Sequence, residues 1–417
     1  MNSKISIADF VYAISEAVDL MSPLLNYHHK RVAYMSCCIA KEMNLDDEDI
    51  RDIFLAAMLH DVGAFNIEER EMCLNWQTCD IDESRHAILG YKLLINFKPL
   101  AKAAELIAHH HKNYDPSKKN IPMGSHIIHL ADRISVKPDL KLGILPQVPR
   151  MHRMISYMAF TYHPEVMAAF ERLSERANFW FEAYSDLLED AMLNSVTFSK
   201  QLFDINTLKI FAKVIAQIID FRSRFTATHS SGVAAVAHEL SEISGFSFDE
   251  CQLMEIAGYL HDLGKLAVSN DILEKNGPLS ETELLTVQQH AYYTHYILGK
   301  VKGMEQITSW VSHHHERYDG SGYPFHLKKD DCSMFSQVMA VADVITALTE
   351  DRPYRLGMDG ANALNTLRDI AYHGKLNARI VDLVNENFSR VNQARLDAQK
   401  NAQSEYETFY NMSGPDA

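Results

Sequence analysis

Histidines and a carboxylate stand directly before a glycine-rich turn at residues 312–324, which read SHHHERYDGSGYP. Imidazole is the commonest nitrogen ligand for metals in proteins. The Asp-Gly and Gly-Tyr-Pro steps predict a turn, because glycine adopts backbone angles that other residues resist. The stretch therefore predicts metal ligands at a helix end, beside a loop that can approach a bound molecule closely. A solvated, histidine-rich helix end is the alternative for this stretch taken alone.

The same residue types recur in the same order in the two halves of the chain. Each half presents one histidine, a His-Asp pair, another histidine, a His-His pair and a final aspartate. In the first half these residues are His28, His60, Asp61, His86, His110, His111 and Asp132. In the second half they are His229, His261, Asp262, His290, His314, His315 and Asp343. The first histidines lie 201 residues apart and the final aspartates 211 apart, and so small a drift indicates a duplicated helical domain.

Imidazole nitrogens and carboxylates drawn from separate helices predict a metal centre. A pair of metal ions needs about this number of ligands, with a carboxylate or a hydroxide between them. Adjacent residues on a helix diverge by about 100°, so one residue of the His261-Asp262 pair can bind a single metal while the other bridges both. Mixed nitrogen and carboxylate sites suit iron, manganese, nickel or zinc. A buried, hydrogen-bonded histidine is the alternative for any single member, but the complete ordered set favours metal binding.

Composition restricts the classes of function. The 417 residues are 47% hydrophobic and 23% charged, as in an ordinary protein of two or three domains. The net charge of −15 argues against binding a nucleic-acid polymer. The six cysteines include no Cys-x-x-Cys pair, which argues against a disulfide scaffold. The N-terminus lacks a signal-peptide pattern, and no segment reaches the roughly 18 apolar residues of a membrane span, so we expect a cytoplasmic protein without membrane contact.

Apolar residues recur at spacings of three and four along most of the chain, which predicts an all-α fold of two tandem helical bundles. We expect the first bundle over residues 1–190 and the second over residues 205–400. A connecting helix is expected over residues 191–204, because the region around it is amphipathic. The tail over residues 401–417 is polar and is expected to be frayed.

Four motifs in the second half carry a resemblance to a known family. They are LHDLGK at 260–265, HHERYDGSGYP at 314–324, VADVITALT at 341–349 and RPYR at 352–355, together with His229 and His290. Over residues 226–355 the chain thereby resembles the HD-GYP phosphodiesterases, a branch of the metal-dependent HD-domain phosphohydrolases. That family is all-α and carries a centre of two or three metals. It hydrolyses bacterial cyclic dinucleotides, chiefly cyclic di-GMP and in some members 3',3'-cyclic GMP-AMP.

The resemblance implies a metal ligand at each recurring position of the second half. Carried over residue by residue, the ligands are His229, His261, Asp262, His290, His314, His315 and Asp343. Asp262 is the implied bridge between the metals. Family members with three metals place a glutamate four residues before the first histidine, whereas this chain has Phe225 there. We therefore expect two divalent metal ions, with iron or manganese favoured and nickel or zinc as alternatives.

The resemblance also implies a reaction and the residues that carry it. Hydroxide formed from water between the two metals would attack phosphorus and expel the ribose 3'-oxygen, giving a linear dinucleotide and, after a second cut, mononucleotides. Asp262 and Lys265 are the expected catalytic residues, with Lys265 stabilising phosphate charge. Tyr323, Arg352 and Arg355 are the further expected substrate contacts. An exposed lysine, loop packing by the tyrosine and a surface ion pair of the arginines are the alternatives.

The first half keeps the ligand-like residues but lacks the parts expected to bind the substrate. Ala64 stands where the second half has Lys265, and Lys112 stands where it has Glu316. No Gly-Tyr-Pro follows Asp115, and no RPYR follows the final aspartate. We interpret this half as a degenerate HD domain with a regulatory or dimerising role, which makes a homodimer or a signalling partner the expected contact. The alternative is a second hydrolytic site for a different phosphate.

The sequence thus predicts a phosphodiesterase for a cyclic dinucleotide, with two other functions as alternatives. A general nucleotide phosphohydrolase of the wider HD group would not need the Gly-Tyr-Pro loop or RPYR. A non-catalytic receptor for a cyclic dinucleotide would not need a complete ligand set beside Lys265. The second half therefore favours the phosphodiesterase. The sequence does not choose between cyclic di-GMP and 3',3'-cyclic GMP-AMP.

Overall fold

Helices make up most of the structure. The computed structural model describes residues 5–19, 27–65, 83–118, 120–135, 143–195, 202–222, 226–275, 277–351 and 356–412. Among these residues the strands form a single antiparallel pair, Ile5–Ser6 with Leu202–Phe203. The predicted all-α class is therefore confirmed. No helix within these ranges is long and apolar enough to cross a membrane.

The described chain divides into two compact units. The first contains described residues between 14 and 195, and the second contains residues 5–13 together with those from 202 to 412. The helices described before residue 196 are α1 (Ile7–Asp19), α2 (His28–Glu42), α3 (Asp47–Leu59), α4 (Glu83–Leu94), α5 (Ala101–Ala108), α6 (Met123–Ile134), α7 (Val148–Tyr157), α8 (Pro164–Ser174), α9 (Ala177–Ala183) and α10 (Leu188–Ser195). Helix α2 is buried along most of its length and packs against α3, α6 and α10, so it forms the centre of the first unit.

The second unit is built round another buried helix. Its helices are α11 (Ile205–Asp220), α12 (His229–Ile243), α13 (Phe248–Leu260), α14 (Asn270–Leu273), α15 (Glu281–Leu298), α16 (Glu305–Ser312), α17 (Met334–Thr349), α18 (Gly360–Tyr372), α19 (Ala378–Glu386) and α20 (Phe388–Asn411). Helix α12 packs against α13, α17 and α20. Val233, Val236 and Leu240 of α12 are fully buried, which places this helix in the core.

Side chains at the helix starts help to fix where the His-Asp pairs lie. The Asp46 carboxylate accepts the N–H of Asp49 at 2.8 Å in front of α3. Ser247 and Glu250 form a reciprocal capping box in front of α13. Such caps satisfy N–H groups that have no partner inside a helix. Helices α3 and α13 both run for 13 residues from these caps and end at the leucine before a His-Asp pair.

The two units repeat the same helical plan. Helices α2 and α12 each contain 15 residues and each begins with the first histidine of its set, His28 or His229. The next helix in each unit, α3 or α13, contains 13 residues. Matching helix lengths at matching positions agree with the duplication that the sequence predicts. The prediction of two tandem bundles is confirmed.

The predicted connecting helix over residues 191–204 is wrong at its C-terminal end. Helix α10 ends at Ser195, and Leu202–Phe203 forms a strand against Ile5–Ser6. Residues 5–13 consequently belong to the second unit. Local apolar periodicity could not predict this pairing, because it joins segments almost 200 residues apart in the chain.

The predicted fraying of residues 401–417 is wrong as far as residue 411. Helix α20 continues to Asn411. Phe409 is buried, and its ring centroid lies 5.2 Å from that of Phe221 after α11. Apolar residues are sparse along this helix, so its polar composition concealed a narrow packed face. Residues 413–417 lie outside the described ranges.

Phe409→Ala should lower the free energy of unfolding of the second unit by about 3 kcal/mol, because removing a buried ring leaves a cavity that its surroundings fill only in part. Urea unfolding followed by circular dichroism measures the change. Ser404→Ala, at an exposed position on the same helix, should stay within about 0.5 kcal/mol of the parent. Equally small effects of both substitutions would contradict the packing of this helix end.

Candidate metal centre

The His-Asp pair of the second half lies at the end of α13, where a close backbone contact fixes its position. His261 caps the helix, and Asp262 leads into a short 3-10 turn. A Cβ atom on Gly264 would lie 1.9 Å from the carbonyl oxygen of His290, so only glycine lets this turn approach α15. The hydroxyl of Thr294 accepts the Gly264 N–H at 2.8 Å and donates to the His261 carbonyl at 3.2 Å. These contacts bring His290 beside the pair.

Glu316 anchors the glycine-rich loop that follows α16. Its carboxylate oxygens accept the N–H groups of Phe325 at 2.7 Å and of Leu327 at 2.9 Å. A Cβ atom on Gly322 would lie 2.5 Å from Cα of Glu316, so the loop can fold back this closely only with glycine. The loop therefore returns to the helix end that carries the histidine pair.

Three imidazoles present a lone pair to the interior of the second unit. In His261, His290 and His314, Nδ1 donates to the backbone carbonyl three residues earlier. A carbonyl cannot donate, so Nδ1 holds the proton of the neutral ring and Nε2 keeps its lone pair. Burial lowers the pKa of His290 to about 4 and that of His314 to about 3, so both rings are neutral at pH 7. The three Nε2 atoms are buried without a hydrogen-bond partner among the residues that the structure describes.

Asp262 turns its carboxylate oxygens toward these lone pairs. Oδ2 lies 3.0 Å from Nε2 of His261, and Oδ1 lies 3.4 Å from Nε2 of His290. Burial alone would raise the pKa of Asp262, but the groups around it, including the Lys265 ammonium, together leave that pKa well below its usual range. An ionised carboxylate that faces imidazole lone pairs is repelled unless a cation lies between them. The donor set therefore fits metal ions.

The seven predicted metal residues of the second half converge in one place. Two groups of ligand atoms lie within 4.8 Å of one another, His229 with His261 and Asp343, and His290 with His314 and His315. Asp262 lies between the groups, because Oδ2 is also 3.8 Å from Nε2 of His229 while Oδ1 faces His290. The arrangement fits two cations with one shared carboxylate.

Sequence reasoning missed a carboxylate that orients the first histidine of the set. The Glu350 Oε2 atom accepts a hydrogen bond from Nδ1 of His229 at 2.8 Å, and Gln399 donates to the other oxygen. A carboxylate on the far ring nitrogen fixes the tautomer and makes Nε2 a stronger ligand. Glu350 follows Asp343 by seven residues, which is two helical turns, so the spacing along α17 was the available signal.

The predicted substrate residues that the structure describes lie next to this cluster. Lys265 places Nζ 2.6 Å from Oδ2 of Asp262, and its side chain is 20% exposed. The Tyr323 ring centroid lies 4.8 Å from that of His315, and burial raises the pKa of its hydroxyl above the ordinary value.

Three further predicted positions lie outside the described residues. They are Arg352 and Arg355 of the RPYR motif and Phe225, on which the expectation of two metals rests. Their roles stay predictions from the sequence.

The first half holds a matching cluster. Its ligand atoms form one group of His28, His60 and Asp132 and another of Asp61, His86, His110 and His111, each within 4.8 Å. Asp61 lies 3.3 Å from Nε2 of His60 and 3.3 Å from Nε2 of His86. Nδ1 of His60 and of His110 donates to the carbonyl three residues earlier. At His60, therefore, the first half repeats the contact between a carboxylate and an imidazole lone pair that is found in the second half.

Sequence profiles described as HD domain match residues 26–137 and residues 213–403, one in each half. The chain belongs to the HD-domain family. HD domains are metal-dependent hydrolases, which agrees with a candidate metal cluster in each half.

This HD-domain protein is similar along most of its length to the 3'3'-cGAMP-specific phosphodiesterase 1 of Vibrio cholerae, with 29% identity over 393 residues and 90% of each chain covered. It is 35% identical over 143 residues to the cyclic di-GMP phosphodiesterase response regulator RpfG of Xanthomonas campestris, which covers 34% of this chain and 38% of that one. A crystal structure of a cyclic GMP-AMP specific phosphodiesterase from V. cholerae shares the fold, with a TM-score of 0.64, 21% identity and coverage of 92% of this chain and 98% of that one. The family resemblance predicted from the motifs is confirmed.

Glu350→Gln should weaken metal binding in the second HD domain about 10- to 100-fold, because the amide orients His229 without the charge that strengthens Nε2 as a ligand. Competition with a chelator, followed by elemental analysis of the retained metal, measures the loss. Glu386→Gln removes an exposed carboxylate from the same unit and should leave the affinity unchanged. Since both variants keep the first half intact, any difference between them reports on the second half. Unchanged affinity in Glu350→Gln would contradict this role.

Proposed function

We propose that the second HD domain hydrolyses a 3',3'-linked cyclic dinucleotide in a metal-dependent reaction. The observation that carries the proposal is the Asp262 carboxylate, which faces the imidazole lone pairs of His261 and His290 and whose Oδ2 atom also lies 2.6 Å from the Lys265 ammonium. Cations bound at this site, together with Lys265, would create a local region of positive charge in a chain whose net charge is −15. Local positive charge is what an anionic phosphodiester requires.

The proposed cofactor is a pair of divalent cations. His229, His261 and Asp343 would hold one, and His290, His314 and His315 the other, with Asp262 shared. Iron or manganese is favoured because the donors mix imidazole with carboxylate, and nickel or zinc is the alternative. When bound, such cations supply hydroxide at neutral pH and neutralise charge on the phosphate.

The side chains next to the centre have separate proposed roles. Lys265 is partly exposed whereas Asp262 is buried, so the ammonium can meet a phosphate oxygen that arrives from solvent. There it would stabilise negative charge as the bond to the ribose oxygen breaks. Tyr323, held beside His315 by the anchored loop, would contact the nucleotide. Arg352 and Arg355 are proposed on sequence grounds to bind phosphate or guanine.

The comparisons favour 3',3'-cyclic GMP-AMP over cyclic di-GMP as the preferred substrate. The relative that aligns with both halves of this chain is named for 3'3'-cGAMP. The relatives from X. campestris and Pseudomonas aeruginosa that are named for cyclic di-GMP align with 34% and 35% of it, and a further relative named for 3'3'-cGAMP aligns with 34%, so the preference rests on the alignment over both halves. We assign hydrolysis to the second domain, and a regulatory or dimerising role to the first domain, which contains the described residues between 14 and 195.

Purified protein with manganese or ferrous iron should convert 3',3'-cyclic GMP-AMP to a linear dinucleotide, and cyclic di-GMP more slowly. Chromatography of the nucleotides measures both rates. Asp262→Ala and His261→Ala should each lower turnover by roughly a thousandfold or more, because each removes a ligand of the centre. Asp382→Ala, at an exposed position of the same unit, should turn over like the parent.

Several outcomes of this assay would contradict the proposal in distinguishable ways. Tight binding of both dinucleotides without turnover would indicate a receptor. Equal hydrolysis of simple nucleotides would indicate a general phosphohydrolase. Loss of turnover in Asp61→Ala with full activity in Asp262→Ala would assign the reaction to the first half.

Lys265→Met should lower kcat/KM about 100-fold while the metal content does not fall below the parent level, because the ammonium is expected to act on the phosphate and not as a ligand. Steady-state kinetics and elemental analysis of the same preparation provide the two measurements. Loss of metal together with activity would mean instead that Lys265 serves to hold Asp262 in place.

A further inference from the structure

The two halves differ at the residue after the first histidine of each set. The first half has His29 there, and the second half has Ser230. Both halves keep an aspartate at the end of the preceding helix, Asp19 in α1 and Asp220 in α11, and these two aspartates also lie 201 residues apart. The duplicated scaffold thus presents the same carboxylate to two different side chains.

In the first half this aspartate binds the additional imidazole. His29 is buried, and its Nδ1 is hydrogen-bonded to a carboxylate oxygen of Asp19. Its Nε2 is directed at the metal cluster, 3.9 Å from Oδ2 of Asp61. The ligand atoms of His29, His60 and Asp61 lie within 4.8 Å of one another. A carboxylate behind the ring and a ligand cluster in front of it is the arrangement of a metal-binding histidine.

In the second half the corresponding aspartate binds backbone instead. Oδ2 of Asp220 accepts the N–H of Ser230 at 3.0 Å. The serine at this position is too short to replace the Nε2 atom that His29 directs at the first cluster. The first cluster therefore has one more imidazole than the second, in a position that is otherwise equivalent.

The charged groups next to the two clusters also differ. Lys265 places an ammonium 2.6 Å from the shared carboxylate of the second half, where it repels a bound cation. The first half has Ala64 at this position, and the cation next to its ligands is instead the Arg133 guanidinium, whose charge lowers the pKa of Asp132 and of His111. The additional imidazole is therefore the difference that favours retention of a metal ion by the first cluster.

We propose that the first HD domain is a metal centre in which His29, oriented by Asp19, is an additional ligand, and that it binds a nitrogen-preferring divalent cation such as zinc more tightly than the second domain does. Imidazole-rich sites suit zinc, nickel and iron better than manganese. The inference does not depend on the reaction proposed for the second domain.

Zinc affinity of the full chain tests the proposal, with one centre disabled at a time. Asp262→Ala with His314→Ala leaves the first centre, and Asp61→Ala with His110→Ala leaves the second. Titration of zinc against a competing chelator should give an affinity at least about tenfold higher for the first centre. In the background that keeps the first centre, His29→Ser, which copies the second half, should weaken zinc binding at least tenfold, and Asp19→Asn about tenfold.

Matched variants separate a ligand from a structural histidine. Ser230→Ala in the same background should leave the zinc affinity unchanged. Cobalt(II) in place of zinc should give a visible absorption spectrum that changes in His29→Ser and His29→Gln but not in Ser230→Ala. Unchanged zinc affinity and cobalt spectrum in both His29 variants, with only the thermal unfolding of the metal-free protein altered, would reduce His29 to a buried partner of Asp19. Absence of zinc binding by the first centre would overturn the proposal entirely.

Discussion

An ionised aspartate that faces imidazole lone pairs is the constraint on which both HD domains depend. Asp262 lies 3.0 and 3.4 Å from Nε2 of His261 and of His290, and Asp61 lies 3.3 Å from Nε2 of His60. In these three rings Nδ1 donates to a backbone carbonyl, so Nε2 keeps its lone pair. Water cannot relieve such a contact, because the groups are buried. A cation between these groups would turn the repulsion into attraction, so we expect metal binding to stabilise the fold. The surrounding helices have to hold these acceptors together against their mutual repulsion.

Two kinds of hydrogen-bond partner orient the imidazole rings toward the centre. Histidines that follow a helix, such as His261 and His314, donate Nδ1–H to the carbonyl three residues earlier, so the helix end itself sets their tautomer. Histidines that begin a helix cannot use this device. His229 depends on Glu350, more than a hundred residues away, and His28 hydrogen-bonds to Ser135. The histidines that begin a helix therefore depend on distant partners, and these partners differ between the two halves. The histidines at the helix ends are oriented in the same way in both halves.

This division also explains what the sequence could predict. The ligand set could be predicted because the same His and Asp residues occur in the same order, with nearly constant spacing, in both halves. Their side chains converge because the two halves share one arrangement of helices. Glu350 and Asp19 are single carboxylates among 55 acidic residues, and the sequence offers no more than the spacing of Glu350 from Asp343 to connect either of them with the ligand set. The strand pairing of Leu202–Phe203 and the packed end of α20 were missed for the same reason, since each depends on contacts with residues far away in the chain.

Because the domain is duplicated, the protein contains two clusters in which an aspartate faces imidazole lone pairs. The residues that surround these two clusters differ. The second half keeps an ammonium beside the shared carboxylate and a loop anchored by Glu316, and in the proposed reaction these would provide positive charge and a wall for a phosphodiester. The first half lacks both and adds His29 at the position of a serine. A centre that turns over substrate needs an open, positively charged rim, whereas a centre that only retains metal is better served by another neutral ligand. The same helices can therefore support catalysis in one domain and metal-dependent stability in the other, with a few side chains deciding between them.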